Sequence, residues 1–416
     1  MNNRRNFLKI AGVGITGSVL NTVNSSAANI TLETSVVKVG VLLPQSNENP
    51  FYSGSFINGL RLATNHNGLS GNKIEVITEH VNYGSRRITR VKASQLITEN
   101  NVNILVGLVN SEVAIELGEL VENAQVPILI ANAGENYLIN KAKENPYLFF
   151  NSLNLFQNSF LAGKYAVEKF GKNIAVVTSV YDSGYDSLFT FYKGVELAGG
   201  KITETFVKNE NDVDFISKTL GSIKKEEVNG IYVLLNGNLA DDFFRTAYQQ
   251  KFSLPIITTS FASDDIRLVN IGEAANGIKS FQTWNKNVNN RENHEFVSAY
   301  KKKFSKEPDQ YGFLGYETGL IIKDSVSKLK GNISGNHLAN SIRSCKINSP
   351  GGEISVNEKS GLVNNPVYLC KTKMSGINIP ENEILEQYTS ISEFDENFIP
   401  LDTNLRSGFL NPYLFV

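Results

Sequence analysis

Residues 36–44 read VVKVGVLLP, and their reading sets the fold. An almost unbroken apolar run stopped by Pro44 is what a strand buried on both faces requires, and such strands belong to parallel sheets. The next stretch, SGSFINGLRLATNH, changes period, with Phe56, Leu60 and Ala63 on one helical face. KIEVITEHVN then predicts a strand, and SRRITRVKASQLITEN a helix with Ile88, Val91, Ala93, Leu96 and Ile97 inward. VNILVG, SEVAIELGELVENA and VPILIA continue as strand, helix, strand. This β-α-β order predicts a parallel sheet with right-handed crossovers.

After NPYLFFNSLN the same grammar restarts. Helix LFQNSFLAGKYAVEKFG leads to strand NIAVVTSV, helix SLFTFYKGVELAGG and strand KITETFV. Helix VDFISKTLGSIKK, strand GIYVLLN, helix LADDFFRTAYQQ and strand LPIITTS complete a second unit. Helices return at RENHEFVSAYKKKF and YGFLGYETGLIIKDSVSKL, followed by a strand-rich stretch from Gly352 to Lys373. The fold class is therefore α/β, with two doubly wound parallel-sheet lobes. The last forty residues lack periodicity, and their aromatics predict a tail docked on the body.

Working back from Val36, the N-terminal stretch NRRNFLKIAGVGITGSVL holds two competing signals. Gly12, Gly14 and Gly17 spell G-x-G-x-x-G, but a dinucleotide site needs a strand before the glycines and a buried helix after them. A basic stub precedes them and the polar NTVNSSAAN follows. Arg4 and Arg5, a short apolar run and the small residues Ser26-Ala27-Ala28 instead predict a twin-arginine signal peptide over residues 1–28. The remaining ~390 residues suffice for two ordinary domains. Lys+Arg 40 against Asp+Glu 41 gives no reason to expect a nucleic-acid or anionic-membrane partner. Four His and two Cys show no metal-ligand spacing, so no metal and no cofactor is expected. With no later membrane-spanning run and no lipid-accepting Cys at the leader's end, the expectation is a soluble periplasmic protein without a membrane anchor, and a monomer.

In open parallel sheets, ligands bind outside the carboxyl ends of the strands. The loops there are Gln45–Ser53, Leu108–Ser111, Asn132–Asn136, Tyr181–Asp186, Asn236–Asn238 and Thr259–Asp265. They are rich in Asn, Ser, Gly and Tyr and hold no Cys or His; no G-x-S-x-G elbow occurs anywhere. This favours binding over catalysis.

VVKVGVLLPQS…FYSGSFINGLRLA, VNILVGLVNSEVAIELGELVENAQVPILIANAGEN, IAVVTSVYDSGYDSLFTFYKGVELAGGKI and GGEISVNEKSGLVNNPVYLCKTK, in this order and spacing, resemble the leucine/isoleucine/valine-binding family. Its members are type I periplasmic substrate-binding proteins of ABC importers. The resemblance covers roughly Val36 to Lys373. It implies three hinge crossings, near Asn151, Thr283 and Pro350. Lobe 1 is then 36–151 plus 284–349, lobe 2 is 152–283 plus 350–380, and 381–416 is the tail. It also implies capture of one small ligand in the interlobe cleft, delivery to a membrane permease, and no chemistry. Tyr52 matches a cleft-wall aromatic, Asn110-Ser111 the first anchoring loop, and Asn132-Ala133-Gly134-Glu135 the second. On lobe 2, Tyr181, Gly184 and Tyr185 match an aromatic loop, and Asn236 and Asn238 the next one. The place of the family's ammonium-binding acid falls at Ser260-Phe261, and Glu135 stands where a hydroxyl residue is usual. Both departures speak against a simple aliphatic α-amino acid and for a neutral or cationic polar ligand.

Several of these residues have plainer roles available. Ser111 and Asp264 suit helix N-caps, Asn132 a loop-bracing amide, and Tyr52 and Tyr185 rim aromatics packing on their own lobe. Trp284 suits interlobe packing, Lys301-Lys302-Lys303 a solvated helix end, and Arg86-Arg87 receives no function. An exported α/β enzyme using Glu135 and an aspartate as acid and base remains a second class, and a ligand sensor for a membrane receptor a third. Cys345 and Cys370, in an oxidising compartment, are expected to form a disulfide worth roughly 3 kcal/mol; two buried thiols are the alternative.

Overall fold

The computed structural model describes residues 36–45, 51–65, 73–82, 85–132, 134, 145–184, 187–209, 212–329 and 333–388, with the side chains of Ser111 and Glu112 excepted. The expectations for the leader with Arg4 and Arg5, for Ala133, Glu135 and Tyr185, and for residues 389–416 lie outside these.

The opening stretch forms β1 (Val36–Leu43), the strand on which the first sheet is built. It pairs in parallel with β2 (Lys73–His80) and β3 (Ile104–Leu108). With β4 (Ile128–Asn132) and β5 (Leu148–Ser152) the order is β2-β1-β3-β4-β5. Interior strands β3 and β4 are buried throughout, whereas β2, at the edge, is only half-buried. That gradient is why the interior strands read as continuous apolar runs and the edge strand does not.

Helices α1 (Tyr52–Thr64), α2 (Arg86–Thr98) and α3 (Ser111–Ala124) make the crossovers. In α1, Phe56, Leu60 and Ala63 are buried as the spacing predicts. In α2, Val91 is 51% exposed and Thr89 takes the inward position. Thr89 can do so because its hydroxyl donates back to Ser85 O at 2.8 Å, satisfying a buried polar group. Arg86, left without a function above, pairs with Glu116 of α3 at 3.2 Å.

The second sheet carries seven strands in the order β15-β14-β10-β9-β8-β6-β7. Its parallel part is β6 (Asn173–Ser179), β7 (Lys201–Lys208), β8 (Gly230–Leu234), β9 (Ile256–Thr258) and β10 (Lys279–Gln282). Around it lie α4 (Leu155–Phe170), α5 (Ser187–Leu197), α6 (Phe215–Ser222), α7 (Gly237–Gln249) and α8 (Asp265–Ile271). The antiparallel hairpin β14 (Val367–Gly376) and β15 (Ile379–Tyr388) closes one edge. Residues 381–388, expected to begin a tail, are therefore the outer strand of this sheet.

Chain from Gln282 returns to the first lobe as α9 (Arg291–Phe304), α10 (Gln310–Ser327) and α11 (Gly335–Arg343). Helices α1 and α10 touch backbone to backbone. A Cβ on Gly315 would sit 1.9 Å from Phe56 O, and one on Gly59 2.0 Å from Gly312 O, so only glycine fits at either place. A third sheet, β11 (Lys346–Ser349), β12 (Gly352–Val356) and β13 (Val363–Asn364), attaches beside β5 through Phe150 N–H to Gly361 O at 2.9 Å. The chain thus re-enters the seven-stranded sheet at Val367, beyond the Pro350 suggested by the resemblance.

The two cysteines are free and buried, which corrects the expected disulfide. Cys345 follows α11, where burial and then the Asp324 carboxyl push its thiol up to about 12. Cys370 lies inside β14, paired across to Ser280 of β10 and Ile384 of β15. Each occupies a packed position as a small apolar side chain.

Candidate functional site

Three passages of chain join the lobes, and a buried polar network ties them together. Glu317 of α10 is fully buried. Its carboxylate accepts from Ser349 Oγ and Asn365 Nδ2, each at 2.6 Å. Asn154 Nδ2 reaches Asn365 Oδ1 at 3.5 Å, and Thr283 Oγ1 donates to Leu153 O at 2.6 Å. One carboxylate thereby gathers donors from around the third passage, while Thr283 locks the second passage to the first. Burial raises Glu317 to about 7, against the pull of Ser349, Asn365 and Asn151. Trp284 belongs to the same region: its ring stacks on Phe313 at 5.2 Å and its Nε1–H donates to Asn293 Oδ1 at 2.8 Å.

On lobe 1, Tyr52 opens α1 and lies stacked on Tyr311, with ring centroids 4.1 Å apart. Asn110 caps α3, its Oδ1 accepting from Val113 N–H at 2.9 Å, so the cap is this residue and not Ser111. Asn132 braces its own loop, donating to Val109 O at 3.3 Å and accepting from Gly134 N–H at 3.0 Å. Gly134 has φ +95, and a Cβ there would meet Ser152 Oγ at 2.7 Å.

On lobe 2, the carboxyl ends of the adjacent strands β6, β8 and β9 present Asp182, Asn236 and Ser260. Asp182 is 3% exposed. It accepts from Ser179 Oγ at 2.6 Å and from Asn236 Nδ2 at 2.8 Å. Burial raises it to about 6, although both donors favour the charged form. Asp182 fixes the amide of Asn236, because a carboxylate can only accept and the NH2 must face it. Asn236 Oδ1 is consequently left buried with no partner among the described residues. The same holds for Ser260 Oγ and Tyr311 Oη. Tyr181 is 46% exposed, and Asn238 is exposed on α7.

The lobes meet where the first turn of α10 reaches β9 and α8. Gln310 Nε2 donates to Ser260 O at 3.2 Å, and Gln310 N–H to Asp264 Oδ2 at 3.2 Å. Gln310 Oε1 is thereby turned away, buried and unpartnered. Phe261 lies 6.3 Å from Tyr311, centroid to centroid. Asp264 also caps α8, as its sequence position predicts, accepting from Ile266 N–H at 3.0 Å.

Two lobes of this topology with polar loops at the carboxyl strand ends can hold a small molecule between them. A family model described as periplasmic binding protein matches residues 36–376. The chain belongs to the periplasmic binding protein family. Among relatives, the Leu/Ile/Val-binding protein homolog 6 of Brucella abortus is 23% identical over 343 residues, 80% of this chain and 87% of that protein. An ABC transporter substrate-binding protein from Sphaerobacter thermophilus shares the fold with TM-score 0.78 at 23% identity, over 85% of this chain and 98% of that one. A solute-binding protein from Rhodopseudomonas palustris BisB5, in complex with 3,4-dihydroxybenzoic acid, superposes with TM-score 0.75 at 23% identity, over 85% and 97% of the two chains.

Within this periplasmic binding protein, sequence reading missed Asp182, Gln310, Tyr311 and Glu317. Asp182 lies in the Tyr181–Asp186 loop, where composition does not single it out from the tyrosines around it. Gln310 and Tyr311 lie in the first turn of α10 and Glu317 two turns further on, within a helix that reads as predominantly apolar.

Proposed function

We propose that the ligand is a small, flat, hydrogen-bond-donating molecule, neutral or cationic. The protein captures a solute between its lobes; the observation that narrows its class is the pair of amide oxygens, Asn236 Oδ1 and Gln310 Oε1. Both are buried without partners among the described residues, and each is fixed in orientation by its own NH2 group. Amide oxygens only accept, so a ligand relieves them only by bringing N–H or O–H groups. A carboxylate brings none. Asp182 favours a donor or cation further, and the Tyr52–Tyr311 stack supplies a flat apolar wall. The 3,4-dihydroxybenzoic acid in complex with the Rhodopseudomonas protein carries a ring with hydroxyl donors of this kind, although its carboxyl is the group that this reading disfavours here.

The contact set is read as Tyr52, Asn110, Ser111, Asn132, Ala133, Gly134 and Glu135 on lobe 1, with Tyr181, Tyr185, Asn236, Asn238 and Ser260 on lobe 2. Gln310 and Tyr311 are added at the seam. The role is delivery to an ABC-type permease in the periplasm, without catalysis, after export through the twin-arginine leader. Lysines in place of Arg4 and Arg5 then leave precursor in the cytoplasm. To test the ligand class, protein unfolded, dialysed and refolded is melted with a panel of amides, sugars, hydroxylated aromatics and branched-chain amino acids. Stabilisation by donor-rich flat compounds supports the reading; stabilisation by leucine, isoleucine or valine alone overturns it.

A further inference from the structure

We propose that Asp264 of lobe 2 and Gln310 of lobe 1 are positioning residues of a latch across the cleft, and that the Asp309 carboxyl facing them makes closure proton-favoured. This goes beyond the identity of the ligand and rests on closure of the two lobes.

Two bonds cross the seam at a single residue. Gln310 gives its backbone N–H to Asp264 Oδ2 and its side-chain NH2 to Ser260 O. Asp264 therefore serves two helices at once: it caps α8 through Ile266 N–H and accepts a free N–H from the first turn of α10. A carboxylate suits two helix N-termini electrostatically. What opposes it is Asp309, the cap of α10, which accepts from Gly312 N–H at 2.6 Å and Ser55 Oγ at 2.5 Å. Closing the seam brings a carboxylate from each lobe together.

The charged groups around Asp264 come from both lobes, with Glu381 of β15 acting on the adjacent Asp265 and burial raising Asp309 itself. Lobe 1 presents Asp309 and the Tyr311 hydroxyl to Asp264. From its own helix come Asp265, which pairs with Lys286 at 3.5 Å, and Arg267, which pairs with Asp241 at 3.6 Å. Arg267 lowers Asp264 only as the last of its influences. Burial, and after it Asp309, raise Asp264 from 3.8 to about 6. Opening the seam takes Asp309 and the first turn of α10 away from the half-buried carboxyl and lowers it toward 3.8. The closed form therefore binds the proton more tightly, so acidification through pH 6 favours closure and rising pH favours opening. A complete return to 3.8 sets the upper limit, roughly a tenfold rise in the closed-to-open ratio between pH 8 and pH 5.

The test uses ligand-free, full-length protein carrying spin labels at Glu119→Cys on lobe 1 and Lys218→Cys on lobe 2, with distances measured by double electron–electron resonance from pH 5 to 8. In otherwise native protein, the short-distance population is expected to grow relative to the long one as pH falls, by up to about tenfold. Asp309→Asn, which keeps a capping oxygen and a donor for Ser55, is expected to raise the closed share at pH 8. Asp264→Asn, also a good cap, is expected to lose the pH response. A distribution unchanged from pH 8 to 5, or Asp264→Asn retaining the full response, would overturn the latch. Because no ligand is present, that failure is separate from any failure to find the solute.

Discussion

The ring of Tyr52 lies on that of Tyr311 with planes 21° from parallel. One residue opens α1 and the other sits in the first turn of α10. Close glycine contacts between these helices, one of them at Gly312 beside Tyr311, hold the rings in place, so the cleft wall is built by helix packing. Tyr311 Oη is buried and unpartnered among the described residues. Tyr311→Phe is therefore expected to leave the ligand-free protein as stable as before, or up to ~1 kcal/mol more so. Affinity for the ligand should fall several-fold. Urea denaturation and titration of the same variant check both halves; loss of stability without loss of affinity would make the hydroxyl structural.

The helix contact itself is testable. Gly315→Ala places a methyl 1.9 Å from Phe56 O, a backbone atom that no rotamer change can move. Overpacking of this kind costs at least about 1–3 kcal/mol. A lowered urea midpoint is expected, and an unchanged midpoint would mean that α1 and α10 separate without cost.

Asn365→Ala probes the buried carboxylate at the passages. Glu317 has a folded value of about 7, above its ordinary 4.5. For an acid raised in this way, stability falls as pH rises from 4.5 to 7 and stays low above that. Removing the Asn365 donor leaves the charged form less satisfied, so the variant should lose about 2 kcal/mol at pH 8. At pH 5, where the carboxyl is protonated, the loss should be smaller. Equal losses at the two pH values would show that Asn365 acts by packing alone.

Cys345 and Cys370 should both react with an alkylating reagent in unreduced, unfolded protein, adding two labels by mass. In native protein neither should react quickly, since both are buried and hold their protons. A mass two units lower with no label would restore the disulfide.

Periodicity made the lobes legible: buried parallel strands announce themselves as apolar runs, and β1, β3, β4, β6 and β8 were all read from them. Elements that depend on tertiary context were less visible. β10 and β15 hold polar residues because a neighbouring strand, not composition, defines them. Spacing alone points Val91 inward, because it cannot register that Thr89 satisfies its own hydroxyl. At the cleft, loop composition pointed to Asn132 and Asn236, but it could not show that Asn236 is oriented by Asp182. Nor could it show that Gln310, fifty residues beyond Ser260, bonds to its carbonyl. Such contacts exist only once the lobes are folded against each other.

The central claim, that buried amide oxygens select a ligand carrying donors, is tested most directly by calorimetry on unfolded, dialysed and refolded protein. 4-Hydroxybenzamide, 4-hydroxybenzoate and leucine are titrated side by side at pH 7. The amide is expected to bind at least about tenfold more tightly than the carboxylate, a difference of ~1.4 kcal/mol, with no micromolar binding of leucine. Leucine binding at micromolar affinity or tighter, with the amide silent, would contradict the account.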